Sequence, residues 1–308
     1  MNHLFQCIPN VSEGRCPKTI EAVAEAIRAV PGVRLLNYSA DKDHNRSVFT
    51  FIGAEDALQR AVEAMFAEVT ERIDLRQHQG AHPRIGAIDV VPFVPLEGTP
   101  MEAAVELSRC TAELVAERFE VPVYFYEESA TCPENRSLAY LRRGGFEALA
   151  KLEDLRQRPA DVGPQRLHPT LGAVCMGARH PLVAFNVLLD TPDVAVAQAV
   201  ARKIRQRDGG LRYVRALGIY LAEQGLAQVS INLLNTEKTA LYTVLEMVRS
   251  EAKAYGAAVR STELIGVMPL EALVGAAAYY LQQPGLSVQQ ILERGILDFY
   301  TSGGPQNS

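Results

Sequence analysis

Two histidines stand four residues apart in the stretch "HQGAHPRIGAIDVVPFVP", residues 78–95, of a chain that has six in all. His78 and His82 suit three kinds of chemistry. A metal site needs the pair on one helix face or a further ligand such as Asp89, and Gly80, Pro83 and Gly86 argue against a helix here. A histidine that caps a turn needs no ligand. A proton-transfer role draws on an imidazole that titrates near neutrality and both takes and returns a proton. Context favours the last for His82. It lies in a loop leading into a strand, where functional residues concentrate. Pro83 restricts its backbone to extended conformations, and Arg84 places a permanent cation beside it.

Two other polar segments have residue types that could meet an anion. In "PNVSEGR", residues 9–15, Asn10, Ser12 and Gly14 form a turn leaving a strand, with Arg15 at its end. In "DKDHNRSV", residues 41–48, an acid pair precedes Asn45 and Arg46. Turn chemistry alone accounts for both patterns. The chain has no phosphate-binding glycine loop, no HExxH and no GxSxG, so none of the common nucleotide, zinc-protease or serine-hydrolase signatures applies.

The elements that must position these loops follow from periodicity. A strand at 3–9 precedes a helix whose Ile20, Val23, Ile27 and Val30 form one stripe. Strands at 33–40 and 47–53 flank the polar loop, a helix spans 54–73, and the strand 87–95 closes a β-α-β-β-α-β cycle. A helix from Thr99 to Phe119, a short strand "PVYFYE" and a charged, helical-looking stretch at 129–155 follow. Residues 156–172 show no periodicity and read as a long loop, a length that usually signals function or disorder. A second cycle runs through a strand at 181–190, a helix at 192–207, a hairpin turning at Gln224-Gly225, a helix at 238–255 and a strand within 257–266. The tail from Glu271 adds helices and ends in a disordered-looking "TSGGPQNS". The expectation is an α+β chain of two ferredoxin-like subdomains, residues 1–180 and 181–308, with helices packed on mainly antiparallel sheets.

Composition sets limits on partners. The 308 residues carry a net charge of -5 and are 48% hydrophobic. No basic field for nucleic acid is expected, and no apolar run approaches the length that spans a bilayer. The N-terminus lacks a signal-peptide pattern. Cys7, Cys16, Cys110, Cys132 and Cys175 are odd in number, widely spaced and without a CxxC. They read as reduced thiols of a cytoplasmic protein.

Six blocks taken together, "CIPNVSEGR", "DKDHNRSVFTFIG", "HPRIGAIDVVPFVP", "VPVYFYEESA", "MGARHPLVAFNVLL" and "LAQVSINLLN", closely resemble the formiminotransferase family, in order and from about residue 4 to residue 280. The resemblance implies two ferredoxin-like halves, a homodimer, and tetrahydrofolate as co-substrate in a cleft between the halves, with no metal. It implies transfer of a formimino group between N-formimino-L-glutamate and tetrahydrofolate in histidine degradation, with His82 as general acid and base. It implies a folate-binding segment at Gly163, Pro164, Gln165, Arg166, Leu167, His168, Pro169, Thr170, Leu171 and Gly172, of which Gly163, Pro164, Pro169 and Gly172 match the pattern and the rest follow by position. Nothing after residue 300 resembles a cyclodeaminase half, so a stand-alone form is implied. Asn37 and Ser39 depart from family members that carry acids there, and Asp41 or Asp43 would have to replace them. Both substrates carry carboxylates, so Arg15, Arg46, Arg84 and Arg179 are candidates to pair with them. Three other readings remain at this stage: a formyl transfer from 5-formyltetrahydrofolate to glutamate, a folate-binding protein without catalysis, and a metal hydrolase using His78, His82 and Asp89.

Overall fold

The computed structural model describes residues 3–80, 82–96, 98–151, 155 and 158–301. It divides into two units, one ending at Pro181 and the other beginning at Leu182.

In the first unit, the opening strand is broken. β1, Phe5–Cys7, and β2, Asn10–Val11, both lie between the same two neighbours. Pro9 has no N–H to give the ladder, which explains the interruption. α1, Pro17–Arg28, starts with proline where a helix leaves its N–H unused. It buries Ile20, Val23, Ala24 and Ile27. β3, Val33–Asp41, β4, Arg46–Gly53, α2, Glu55–Arg72, and β5, Ile88–Pro95, complete the cycle. The strands lie side by side as β3, β4, β1/β2, β5, all antiparallel, which is the ferredoxin-like arrangement.

Two strands then enlarge this sheet. α3, Met101–Phe119, leads to β6, Val123–Phe125. After α4, Leu138–Leu141, and α5, Gly145–Leu149, the chain returns as β7, Val174–Ala178, parallel to both β5 and β6. Sequence periodicity does not disclose β7. "VCMGA" is buried throughout, so it lacks the alternation that marks a half-exposed strand. Val91, Phe93, Val174 and Met176 join the core under α1, α2 and α3. Val90, Tyr124, Tyr126 and Cys175 face the other way and pack with Leu141, Leu149 and Leu155. The expected helix over 129–155 is a correction: the described residues there hold only the short α4 and α5 with 3-10 turns. Gly144 and Gly145, at φ 80° and 66°, end any longer helix, because side-chain-bearing residues rarely adopt that backbone.

The second unit is the simpler ferredoxin-like unit. β8, Val183–Leu189, α6, Val194–Ile204, β9, Val214–Leu221, β10, Leu226–Leu233, α7, Leu241–Lys253, and β11, Val259–Ile265, form an antiparallel sheet in the order β11, β8, β10, β9. Val183, Phe185, Val187 and Leu189 alternate inward against α6 and α7. α8, Leu270–Tyr280, docks on α7 with Tyr279 stacked on Tyr242 at 4.3 Å between ring centroids. α9, Leu292–Thr301, follows. The remainder of the "TSGGPQNS" tail lies outside the described residues. Among the described residues no helix is long and apolar enough to cross a membrane.

Candidate active site

Three loops of the first unit meet beside β5: the turn after β2, the β3–β4 hairpin and the segment 78–87. Asn45 joins all three. Its backbone sits at φ 47°, a left-handed position that asparagine tolerates better than most residues. Its side chain accepts a hydrogen bond from the Gly14 N–H at 2.9 Å and donates to the Gln79 carbonyl at 3.0 Å. Its own carbonyl accepts from His78 Nε2 at 2.7 Å. A Cβ on Gly80 would lie 2.2 Å from the His44 carbonyl oxygen, so this close approach of two loops requires glycine. Ser12 Oγ donates to the Gly86 carbonyl at 2.7 Å and ties the third loop in.

The structure separates the two histidines. Arg84 Nε donates to His78 Nδ1 at 2.9 Å, so Nδ1 is unprotonated and Nε2 carries the hydrogen. Arg84 also donates to the His78 carbonyl at 3.1 Å and grips Glu147 of α5 at 2.8 and 3.0 Å. Both His78 nitrogens are therefore engaged in holding the loops. His82, by contrast, has one nitrogen against Arg46 and one that meets no side chain. The Arg46 Nη1 donates to Nε2, and the buried Nδ1 has no side-chain partner among the described residues. Nε2 must accept, because a guanidinium only donates, so Nδ1 carries the hydrogen. The His44 ring lies 5.7 Å away.

Asp89 lies beneath this pair. Asn10 faces Val90 while Val11 faces Ile88, which leaves Asp89 as the extra residue of a β-bulge. Bulges re-aim side chains in this way. One Asp89 oxygen accepts the Ile85 N–H at 2.8 Å, and the other accepts from Arg142 at 2.5 and 2.9 Å. This ion pair is almost fully buried, with side-chain exposures of 3% and 13%. Asn10, Ser12, His44, Arg46, His82 and Asp89 are among the residues that enclose a cavity of about 10 Å³, room for one water-sized group.

Charge explains the titration behaviour. Burial, then the charges of Arg46 and Arg142, drive the His82 pKa far below the ordinary imidazole range. Burial and the Arg142 charge lower Arg46 to about 9, against partial compensation from Asp89 and Asp41. Burial also lowers His78 and His168. The sign of the stability effect follows. Below the ordinary imidazole pKa of about 6.5 the unfolded chain takes up protons that these folded histidines refuse, so stability present above that pH is lost as pH falls. His82 alone should contribute a slope approaching 1.4 kcal/mol per pH unit. The half-buried His78 and His168 contribute less. Urea unfolding at pH 7.5, 6.5 and 5.5 should show this decline, and His82→Gln should flatten it. A profile identical to the parent's would refute the assignment of the slope to His82.

The sequence-derived candidates fall into distinct places. Arg46 and Arg84 line the pocket with His82. Arg15 binds the Lys42 carbonyl at the exposed edge of the hairpin. Arg179, beyond β7, donates to the His180 carbonyl at 3.0 Å. The segment Gly163–Gly172 runs back along the His82 loop. Leu75 and Ala87 N–H groups donate to the Thr170 and Leu171 carbonyls at 2.8 Å, and Gly172 bridges Gly86. Within the segment, His168 Nδ1 accepts from the Leu171 N–H at 3.0 Å and Gln165 exchanges two hydrogen bonds with the Ala160 backbone. Arg166 is exposed, 3.6 Å from Glu120. Asp41 caps its own hairpin by accepting the His44 N–H at 2.8 Å. A metal set of His78, His82 and Asp89 is not assembled: His78 and Asp89 are engaged as described, and no group of three potential ligands forms among the described residues. Sequence reasoning missed Arg142 and Glu147, which have no local signal, and gave Asp89 only a metal role. An acid inside the apolar "AIDVV" was the available signal for Asp89.

Fold and site define a class: a tandem ferredoxin-like α+β protein with a buried histidine–arginine pocket in its first unit. Two family models match it, "Formiminotransferase domain, N-terminal subdomain" over residues 4–179 and "Formiminotransferase domain" over residues 184–296. The chain is 41% identical over 298 residues to a glutamate formimidoyltransferase of Streptococcus pyogenes serotype M1, covering 96% of this chain and 100% of that protein. It is 40% identical over 296 residues to a glutamate formimidoyltransferase of Thermoplasma acidophilum, covering 94% and 96% respectively. Against the formimidoyltransferase-cyclodeaminase of Rattus norvegicus the identity is 39%, over 94% of this chain and 54% of that protein. The chain belongs to the formiminotransferase family.

Proposed function

We propose that the chain is a glutamate formimidoyltransferase, moving the formimino group between N-formimino-L-glutamate and tetrahydrofolate in histidine degradation, as a cytoplasmic homodimer. The observation that carries this reading is the contact between a neutral His82 and a half-buried Arg46 that has no carboxylate partner among the described residues.

The chemistry suits those two groups. Attack of the folate amine on the formimino carbon forms a C–N bond and a tetrahedral centre bearing three nitrogens. The incoming nitrogen must lose a proton, and the departing glutamate nitrogen must gain one before its C–N bond breaks. A single imidazole performs both transfers. His82 is neutral in the ordinary pH range, and its Nε2 lone pair is freed to accept once a substrate carboxylate takes up the Arg46 donor. A substrate carboxylate on Arg46 supplies the missing counter-charge. It also cancels part of the field that suppresses imidazole protonation. Substrate binding thereby raises the basicity of His82 when its base function is needed. Arg84, held by Glu147 and His78, serves the loop instead of the substrate. The segment 163–172, hydrogen-bonded to the His82 loop, supplies the folate contacts.

The test is a spectrophotometric assay of the purified chain with N-formimino-L-glutamate and tetrahydrofolate. Turnover is expected; folate binding without turnover sinks the enzymatic reading. Arg46→Gln should raise the KM for formiminoglutamate by roughly 10- to 100-fold, the size of a lost hydrogen bond to a charged group. An unchanged KM would remove Arg46 from the carboxylate site.

A further inference from the structure

The second unit presents an apolar surface that its own fold leaves in water. Residues 272–292 contain no Asp, Glu, Lys or Arg, in a chain that is 22% charged. α8 is fixed on α7 by the Tyr279–Tyr242 stack and by the Tyr280 hydroxyl, which donates to Glu246 at 2.6 Å. Leu273, Tyr280 and its C-cap Leu281 stand at i, i+7 and i+8, the spacing of one helical stripe. In α9, Leu292 and Ile296 stand four apart. The Arg294–Asp298 ion pair, two residues on from each, lies on the opposite side of that helix. The 3-10 turn Val288–Gln290 packs against both helices and joins the two stripes. Leu273, Tyr279, Tyr280, Leu281, Leu292 and Ile296 are each between 46% and 73% exposed. Taking roughly 200 Å² as the full surface of a large apolar residue, these six leave on the order of 600 Å² in water. The largest apolar patch on a monomeric protein covers about 300–600 Å², and patches at or above that size mark interaction sites.

We infer that this face receives a second copy of the chain, α8 and α9 of one protomer packing on α8 and α9 of the other about a twofold axis. The inference rests on the homodimer of the proposed function and assigns the surface that forms it. Area supports this occupant. A standard interface covers about 800 Å² on each partner, and homodimer interfaces are about 65% apolar, so the six side chains alone supply the apolar share. Charge supports it as well. In a twofold contact the same patch faces itself, so a cluster of one sign would meet its own copy and repel it. A surface built on the uncharged stretch 272–292 avoids that repulsion. It also offers nothing to select a charged partner. A lipid surface fits less well. Helices that lie on membranes are rich in Lys and Arg on their polar face. Residues 270–301 contain a single cation, Arg294, and it is already paired with Asp298. Tyrosines such as Tyr279 and Tyr280 are enriched in protein–protein interfaces.

The experiment measures mass by sedimentation velocity across a dilution series of the full chain. The parent should have about twice the chain mass of 33.7 kDa. Leu281→Glu and Leu292→Glu should each raise the dimer Kd by at least about 100-fold, because the symmetry buries each new carboxylate twice in one contact. Both leucines are largely exposed in the protomer, so its own core does not use them. Circular dichroism checks that the variants are folded. Leu36→Glu, at an exposed leucine of the first unit, should leave the dimer intact. Hydrogen exchange on the parent needs no variant: protection of α8 and α9 should rise with protein concentration. A dimeric parent whose two variants stay dimeric, or whose α8 and α9 exchange at a rate independent of concentration, overturns the inference and leaves the homodimer standing. Equal dissociation by Leu36→Glu also overturns it. A parent that is monomeric throughout removes the homodimer itself, an outcome distinguishable from the others. If that monomer sediments with phosphatidylcholine vesicles, the face binds lipid and the inference is overturned.

Discussion

His82→Ala should lower kcat by roughly 10²- to 10⁴-fold, the usual contribution of a positioned acid–base group, while leaving the fold and tetrahydrofolate binding intact. The geometry supports both parts. Among the described residues the imidazole's one side-chain hydrogen bond is to Arg46, so its removal breaks little that holds the loops together. Those loops are held instead by Asn45, His78 and Arg84. Arg46 would lose an acceptor yet gain relief from a neighbour whose protonation it opposes. Steady-state kinetics together with folate titration decide the matter. Turnover near that of the parent would move the base elsewhere. Loss of folate affinity along with turnover would make His82 a ligand-positioning group.

The second large effect concerns stability and falls on Asp89. Asp89→Ala should destabilise the first unit by about 3–5 kcal/mol, because it leaves the Arg142 charge buried without its partner. The same change removes the acceptor of the Ile85 N–H, which anchors the loop three residues after His82. Urea unfolding would show a lower midpoint. The double variant Asp89→Leu with Arg142→Met should recover much of the loss, since neither charge is then stranded. A single-variant loss below about 1 kcal/mol would mean that water reaches Arg142 and that the pair is not the buried clamp its exposure indicates. Turnover of the double variant separates positioning from stability. With the fold restored but the Ile85 anchor absent, His82 should remain misplaced and kcat should remain low.

These two expectations differ in how far they could be read from residues alone. His82 stood out as a candidate because a loop, a proline and an arginine converge on it within three positions. The ferredoxin-like order was legible in both halves because amphipathic helices and half-exposed strands carry distinct periods of apolar residues. β7 was not, because a strand covered on both faces has no such period, and the stretch 129–155 mimicked a helix until Gly144 and Gly145 ended it. The four candidate arginines were equivalent in sequence. Only folding assigned Arg46 to the pocket, Arg84 to Glu147, and Arg15 and Arg179 to backbone carbonyls.

Returning to His78 and His82, their spacing suggested joint action, and the structure gives them separate work. The sequence by itself determined the family and the alternation of elements, and it nominated the imidazole proposed for proton transfer. These are encoded in local patterns or in the order of blocks along the chain. Only the tertiary structure decided that Asp89 meets Arg142, 53 residues away, and that Glu147 meets Arg84, 63 residues away. It also decided that the buried Asn10 oxygen has no donor among the described residues. The physical reason is that pairing and burial of charge depend on which segments cover a given face of the sheet. Long-range closure settles that, and no local sequence pattern records it.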